Sequence, residues 1–147
     1  MEAGPLAVFL DANILFSSAL GRSRGRAAFD LLWELAAGGR LTLVTSVYCH
    51  VEAERNLALK APDALGTFRR RMRQVRTVAT TGDAPEWADC LPPEDRPVLA
   101  GALACGAAVL ITGDRRHFGP LMDRPDLPIR VTTLRAFLAG GPPDLPA

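Results

Sequence analysis

Short apolar runs that end at a polar residue constrain the fold of this chain more than any other feature of its sequence. The runs and the residues that follow them are Leu6–Leu10 with Asp11, Leu41–Thr45 with Ser46, and Ala108–Thr112 with Gly113 and Asp114. Runs of this length indicate strands buried on both faces, and segments with helical periodicity lie between them. The alternation predicts an α/β fold, a three-layer α/β/α sandwich around a central, mainly parallel sheet of about four or five strands.

The segments between these runs carry helix signals with recognisable ends. The predicted helices are Arg24–Ala37, a helix from the N-cap Ser46 to about Lys60, one from Pro62 to the residues before Arg76, Glu94–Cys105, and Thr132–Leu138. Short strands are predicted over Arg76–Ala79 and Ile129–Val131, and a loop over Thr80–Pro93. The chain of 147 residues is predicted to form one domain over 1–139, followed by a flexible tail over 140–147.

The composition excludes several classes of protein. Hydrophobic residues make up 48% of the chain and charged residues 22%, as in a globular domain rather than a disordered or fibrous one. No apolar stretch approaches the ~18–20 residues of a membrane helix, and the N-terminus lacks the basic start of a signal peptide. Cys49, Cys90 and Cys105 are too far apart for a Cys-x-x-Cys pair. We therefore expect a cytoplasmic protein with no membrane contact, disulfide or thiolate zinc site.

Acidic residues lie where a parallel sheet places its functional sites, beyond the carboxyl ends of the strands. Asp11 follows the first apolar run, Asp114 follows the last of the three long runs, and Asp95 lies at the start of the helix before it. Glu52 is about two turns into the helix after the second run, and Glu54 competes with it for the position facing the sheet edge. Each acid alone is also explained as a cap, a turn residue or a surface charge.

Carboxylates gathered at one sheet edge would repel one another and raise one another's pKa unless a cation neutralised them. Oxygen ligands without paired histidines or cysteines favour Mg²⁺ or Mn²⁺ over zinc. Such an ion suits phosphodiester hydrolysis, because it orients and acidifies a water molecule and stabilises charge on the phosphate. The sequence thus predicts a site for Mg²⁺ or Mn²⁺ at this edge of the sheet.

Positive charge is concentrated in one segment, although the chain has 17 basic and 16 acidic residues in total. Five of the eight residues from Arg69 to Arg76 are arginine, and Lys60 is the only lysine. The planar guanidinium matches phosphate oxygens, so Arg69, Arg70 and Arg73 are candidates for binding a nucleic-acid backbone. A solvated helix face explains the segment equally well.

Two other kinds of enzyme are disfavoured. An aspartyl-phosphate enzyme on a doubly wound sheet would need a second aspartate at position 13, which is Asn13, or a lysine late in the sheet, whereas Lys60 lies early. No Gly-rich phosphate loop is present. A Cys–His hydrolase is disfavoured because Cys49 and His50 are adjacent on a helix and point to different faces, and His117 has no apparent nucleophile beside it.

Four segments of the chain, in this order, resemble the PIN domain nucleases, a family that includes the toxins of VapC-like toxin–antitoxin pairs. The segments are VFLDANILFSSAL around Asp11, TSVYCHVEAERNL around Glu52, EDRPVLAGALACGAAVLITGD spanning Asp95 and Asp114, and IRVTTLRAFLA near the end. The resemblance covers nearly the whole chain. It implies a metal-dependent endoribonuclease whose acidic pocket holds Mg²⁺ or Mn²⁺.

The resemblance also implies roles for individual residues. The positions that match the four acids of the family, as catalytic and metal-binding residues, are Asp11, Glu52, Asp95 and Asp114. Asn13 matches a polar residue of the family, and Thr112 is a further candidate for support of the acids. Many members carry another acid shortly after the last aspartate, where this chain has Arg115, Arg116 and His117. The two arginines are candidates for holding RNA phosphates.

For partners, the resemblance implies an RNA substrate, a cognate antitoxin protein and, as in many members of the family, a homodimer. Two alternatives stay open at this point. One is a PIN-like domain that binds RNA or protein without catalysis. The other is a PIN nuclease that processes RNA without an antitoxin.

Overall fold

The computed structural model describes residues 4–20, 25–79 and 82–140, and its centre is a sheet of parallel strands. The strands of the described residues are β1 (Leu6–Leu10), β2 (Leu41–Ser46), β3 (Val75–Val78), β4 (Val109–Ile111) and β5 (Arg130–Thr132). Their order is β3-β2-β1-β4-β5, and all neighbouring pairs are parallel. The chain extends the sheet from β1 to β3 and then returns to the other side of β1. The order therefore reverses between β1 and β4, where α/β sheets form their ligand sites.

The described residues form seven α-helices, of which the first six lie between strands and the seventh follows β5. They are α1 (Ala12–Ala19), α2 (Arg26–Ala37), α3 (Val47–Lys60), α4 (Leu65–Met72), α5 (Arg96–Ala104), α6 (Arg115–Phe118) and α7 (Leu134–Ala139). Short 3-10 turns occur at Pro62–Ala64, Glu86–Ala88 and Gly119–Leu121. No helix in the described ranges is long and apolar enough to cross a membrane.

The central strands are buried on both faces. Val8–Leu10 of β1 and Val109–Ile111 of β4 are each at most 5% exposed. Successive side chains of a strand point to opposite faces, so this unbroken burial means that helices cover the sheet on both sides. The apolar core is one continuous cluster that joins these strands to the helices through Leu15, Leu32, Leu99 and Phe137, among others. The predicted α/β/α sandwich with a parallel sheet is confirmed.

Two helices were not predicted, and both start at an aspartate. Oδ1 of Asp11 accepts a hydrogen bond from the amide of Ala12 at 2.7 Å and caps α1 directly after β1. Oδ1 of Asp114 accepts a hydrogen bond from the amide of His117 at 3.0 Å and caps the single turn of α6. In both places the aspartate that follows the strand is also the N-cap of the next helix.

The other predicted boundaries differ from the observed ones by a few residues. The predicted helix from Pro62 begins instead as a 3-10 turn, and the helix predicted from Thr132 begins at Leu134. Ser46 caps α3 as predicted, because its hydroxyl accepts a hydrogen bond from the amide of Cys49 at 3.2 Å. The predicted helix start at Arg24 and the tail over 141–147 lie outside the described residues.

Candidate active site

Asp11 occupies the centre of the site, at the carboxyl end of β1. Its side chain is only 5% exposed, and its Oδ2 accepts a hydrogen bond from the hydroxyl of Thr112 at 2.8 Å. Burial raises the pKa of Asp11 from 3.8 to about 6, with smaller contributions from the charges of Asp95 and Glu52. The hydrogen bonds from Thr112 and from the amide of Ala12 oppose this rise. A buried acid with a raised pKa beside other acids is a common feature of functional sites.

Asn13 and Thr112, the two supporting candidates, join Asp11 to the loop after β4. The side-chain amide nitrogen of Asn13 donates a hydrogen bond to Oδ2 of Asp11 at 3.3 Å. The side-chain oxygen Oδ1 of Asn13 accepts a hydrogen bond from the backbone amide of Gly113 at 2.8 Å. The hydroxyl oxygen of Thr112 accepts a hydrogen bond from the amide of Asp114 at 3.1 Å. These bonds fix the carboxyl ends of β1 and β4 relative to each other.

All four acids singled out from the sequence line one cleft of about 280 Å³. Its lining residues are Asp11, Ala12, Asn13, Phe16, Glu52, Asn56, Lys60, Asp95 and Asp114. The acids reach it from four parts of the chain: the end of β1, α3, the start of α5 and the loop after β4. Glu54 is absent from this lining, so Glu52 is the acid that α3 turns toward the cleft.

Burial and mutual repulsion raise the pKa of two further acids of the cleft. For Glu52, the main cause is burial, followed by the charge of Asp95, and Arg55 opposes the rise. For Asp95, burial is again the main cause, and the charge of Asp114 adds to it, whereas His117 opposes it. The cleft thus gathers carboxylates whose repulsion a cation would relieve.

His117 belongs to this site, although the sequence analysis found no partner for it. Its Nδ1 lies 2.8 Å from Oδ2 of Asp95 and 2.9 Å from Oδ2 of Asp114. The turn of α6 places the ring there, because Asp114 caps the helix and His117 lies three residues later. The spacing of three residues from a predicted site acid was the signal available in the sequence.

Asn56 and Lys60 are two more cleft residues that the sequence analysis did not assign to the site. Together with Glu52 they are spaced four residues apart on α3, so they lie on one face of that helix. This face carries a carboxylate, an amide and an ammonium group in succession along the cleft. The regular spacing from Glu52 could have identified both residues.

The sequence model of the PIN domain matches residues 7–116, a span that includes all four acids. This chain belongs to the PIN domain family. No protein with curated annotation matches it.

Solved structures with the fold of this PIN domain include chains of VapBC complexes and a toxin. A chain of VapBC2 from Rickettsia felis, bound to a DNA fragment from its promoter, is 13% identical with a TM-score of 0.62, covering 87% of this chain and 98% of that one. VapC20 from Mycobacterium tuberculosis, a toxin that cleaves the Sarcin–Ricin loop, is 17% identical to this chain, with a TM-score of 0.57. The match covers 77% of this chain and 94% of VapC20. A chain of VapBC-1 from nontypeable Haemophilus influenzae is 16% identical with a TM-score of 0.61, covering 88% and 99%. At these identities the likeness shows a shared fold.

The candidate arginines of this PIN domain lie at two different edges of the sheet. Arg115 and Arg116 are exposed on α6, directly after Asp114 and therefore beside the acidic cleft. The segment that contains Arg69, Arg70 and Arg73 runs from the end of α4 into the start of β3, which places it at the amino ends of the strands. The structure thus does not bring this second group together with the acids.

Arg71, in the middle of the same segment, has a structural role. Its guanidinium pairs with Asp30 at 2.6 Å and lies 4.9 Å from the ring centroid of Trp33. The indole nitrogen of Trp33 in turn donates to the carbonyl oxygen of Arg71 at 3.0 Å. These contacts join α4 to α2, whereas Arg69 and Arg70 are exposed to solvent.

Proposed function

We propose that this PIN domain is a metal-dependent endoribonuclease that hydrolyses phosphodiester bonds of RNA. Its catalytic and metal-binding acids are Asp11, Glu52, Asp95 and Asp114. The observation that carries this proposal is their meeting in one cleft, from four separate parts of the chain, at the point where the strand order reverses. Carboxylates are rarely gathered in this way unless a cation or a reaction uses them.

The donor set fits a hard divalent cation, either Mg²⁺ or Mn²⁺. Oδ2 of Asp95 is shielded from solvent and has no hydrogen-bond partner within the described part of the chain. An unsatisfied buried carboxylate oxygen is unfavourable, and a cation would satisfy it. Most of the other donors are carboxylate oxygens, which such ions prefer. When bound, the ion would acidify a water molecule and stabilise negative charge on the phosphate.

The four acids would then have separate tasks. Asp11, Asp95 and Asp114 would hold the ion, and the hydroxyl of Thr112 keeps the carboxylate of Asp11 in place. Glu52, the most exposed of the four acids, would contribute to holding the ion and would accept a proton from the attacking water.

Basic side chains near the cleft would hold the substrate. Lys60 lines the cleft, and Arg115 and Arg116 lie next to it, so each can contact a phosphate of the RNA. These contacts are independent of base sequence and would place the backbone across the acids. The cleft therefore combines a site for a cation with neighbouring sites for phosphate.

For the biological role, we propose a cytoplasmic toxin that is restrained by a cognate antitoxin, with homodimerisation as a further property. The likeness to the VapC20 toxin and to chains of two VapBC complexes supports this role. The two alternatives are a PIN nuclease that processes RNA without an antitoxin and a PIN domain that binds without catalysis.

A cleavage assay on structured RNAs tests the catalytic proposal. The purified protein should cleave RNA with Mg²⁺ or Mn²⁺, lose activity in EDTA and regain it when Mn²⁺ is added back. Asp11→Asn should reduce cleavage to background while the protein stays folded. RNA that binds but remains intact with both ions would favour the non-catalytic alternative.

The genomic context tests the biological role separately. A small antitoxin-like reading frame immediately upstream is expected, and its co-expressed product should bind the protein and suppress cleavage. An active nuclease with no such neighbour and no inhibitory partner would instead support the role in RNA processing.

A further inference from the structure

The imidazole of His117 touches two acids that come from different elements. Its Nδ1 lies 2.8 Å from Oδ2 of Asp95, at the start of α5, and 2.9 Å from Oδ2 of Asp114, after β4. The amide of His117 also donates to Oδ1 of Asp114 at 3.0 Å, which fixes the position of the ring relative to that carboxylate. The ring is thus held at the cleft by the backbone of α6.

Oδ2 of Asp95 is buried within this cluster. The oxygen has less than 1 Å² of accessible surface and no hydrogen-bond partner among the described residues. The His117 nitrogen, 2.8 Å away, is the polar atom that contacts it. A cation that bound both atoms would replace this single contact and neutralise the buried negative charge.

The two contacts of the His117 nitrogen have the spacing of neighbouring ligands of one metal ion. Ligand atoms about 2.1 Å from an octahedral ion lie about 3.0 Å from each neighbour, as simple geometry requires. The two contacts of the His117 nitrogen are 2.8 and 2.9 Å, and ligand atoms of Asp95, Asp114 and His117 all lie within 4.8 Å of one another. A small movement of the side chains would therefore admit an ion that binds all three.

We propose that Nδ1 of His117 is a metal ligand and forms a three-residue binding face with Asp95 and Asp114. This inference rests on the proposed metal site and adds a nitrogen ligand to a site otherwise built from oxygen atoms. Imidazole suits transition-metal ions, whereas Mg²⁺ is served by oxygen ligands. The protein consequently selects Mn²⁺ over Mg²⁺, because the nitrogen strengthens the binding of Mn²⁺ more than that of Mg²⁺.

Direct binding measurements on the full chain test the proposal without reference to cleavage. Calorimetric titration of the metal-free protein with Mn²⁺ and with Mg²⁺ gives the ratio of the two affinities. His117→Ala should weaken Mn²⁺ binding by about 10-fold or more and Mg²⁺ binding by much less. His117→Asp, which restores an oxygen ligand, should strengthen Mg²⁺ binding relative to His117→Ala and lower the preference for Mn²⁺.

His50 provides a matched control, since it is the only other histidine of the chain. Its ring packs edge-on against Phe68, with centroids 5.3 Å apart, and within the described residues it is not part of the group that could hold a metal ion. His50→Gln should leave both affinities unchanged.

Pulsed electron paramagnetic resonance of the Mn²⁺-loaded protein adds a readout that needs no variant. A directly bonded imidazole nitrogen gives nitrogen modulation in the signal, which is expected for the unmodified protein and for His50→Gln but not for His117→Ala. Absence of this modulation from the unmodified protein would overturn the proposal. So would tighter Mn²⁺ binding by His117→Ala, which would mean that the imidazole competes with the ion.

The outcomes separate this inference from the proposed function. Cleavage that depends on Mn²⁺ and on Asp11, without a nitrogen signal, refutes the role of His117 and leaves the nuclease proposal intact. A nitrogen signal from a protein that never cleaves RNA supports the ligand assignment and refutes the nuclease.

Discussion

The hydroxyl of Thr112 donates a 2.8 Å hydrogen bond to Oδ2 of Asp11, although the two residues are 101 positions apart in the chain. The same hydroxyl oxygen accepts a hydrogen bond from the amide of Asp114 at 3.1 Å. One buried side chain thus links two of the four acids. The positions of those acids depend on the parallel pairing of β1 with β4, which brings Leu10 beside Ile111.

Thr112→Val tests this link, because it keeps the shape of the side chain and removes the hydroxyl. The substitution leaves the amide of Asp114 without this partner and Oδ2 of Asp11 with only the 3.3 Å bond from Asn13, so we expect a loss of about 1–3 kcal/mol in the free energy of unfolding. We expect cleavage to fall about 10- to 100-fold, as when a group that orients a metal ligand is removed. Urea unfolding and single-turnover cleavage measure the two effects.

Thr45→Val is the matched control. Thr45 is equally buried, but its hydroxyl donates to the carbonyl oxygen of Leu10 at 2.8 Å rather than to an acid. The Thr45→Val variant should be less stable than the unmodified protein but should cleave RNA at the same rate once folded. Equal losses of rate in both variants would mean that the hydroxyl of Thr112 acts through general packing alone.

Asp11→Asn should stabilise the metal-free protein at neutral pH. The pKa of Asp11 is about 6 in the fold, against an ordinary value of 3.8, so the folded chain binds this proton more tightly than the unfolded chain. The contribution of Asp11 to stability is therefore full below pH 3.8 and is lost as the pH rises through about 6. Asparagine avoids the buried charge and still caps α1.

The unfolding free energy of Asp11→Asn should exceed that of the unmodified protein by about 1–3 kcal/mol above pH 7, and this difference should vanish near pH 4. Urea unfolding in EDTA at several pH values measures it. Every other titrating group is present in both proteins, so the comparison reports Asp11 together with its coupling to Asp95 and Glu52. A difference independent of pH would show that the carboxyl of Asp11 titrates normally in the fold.

The fold class and the four acids could be predicted because both depend on local patterns. Unbroken apolar runs mark strands that are buried on both faces, and the carboxyl ends of parallel strands share one edge of the sheet. Asp11 and Asp114 therefore had to lie close together if the runs around them were strands. The choice of Glu52 over Glu54 needed the packed orientation of α3, which the sequence does not fix.

Two of the features that were missed depend on tertiary structure. The short helix α6 has too few residues for a periodic signal, so the position of His117 beside Asp95 was invisible before the fold was known. The arginine segment was predicted to lie on a helix that ends before Arg76, whereas α4 ends at Met72 and leaves Arg73 beyond it. The edge of the sheet at which that helix ends follows from strand order rather than from composition.

Glu52→Gln and Glu54→Gln form a pair that distinguishes the two glutamates of α3. Both remove one negative charge from the same helix, but only Glu52 lines the cleft. Glu52→Gln should reduce cleavage by about 10²–10⁴-fold, the usual contribution of a proton acceptor, and weaken metal binding. Glu54→Gln should retain cleavage within about twofold, in the range of a neutral surface change. The reverse order would remove Glu52 from the site.

Arg71→Ala should affect stability rather than activity. The Arg71 side chain is 19% exposed, and its guanidinium pairs with Asp30 and lies over Trp33, so its loss should lower the unfolding free energy by about 1–2 kcal/mol. Arg70→Ala, on the exposed side of the same helix, should change it by less than about 0.5 kcal/mol. Thermal unfolding compares the two variants, and equal effects would contradict a structural role for Arg71.

The two groups of arginines should differ in the length of RNA whose binding they affect. Strands of this length span about 17 Å, so the α4 group lies roughly that far from the cleft, whereas Arg115 and Arg116 adjoin it. Replacing Arg115 and Arg116 with glutamine should weaken the binding of a short oligonucleotide and of a long structured RNA. Replacing Arg69, Arg70 and Arg73 should weaken only the long one.

Binding assays in the cleavage-deficient Asp11→Asn background, repeated over a series of salt concentrations, measure this difference. Each phosphate contact that is lost should reduce the slope of log affinity against log salt by about 0.7 to 0.9. An unchanged slope with the long RNA would assign Arg69, Arg70 and Arg73 to a solvated helix face. A reduced slope with that RNA alone would mean that the substrate extends from the acidic cleft around to the amino ends of the strands, which a duplex or a folded loop can do and a short single strand cannot.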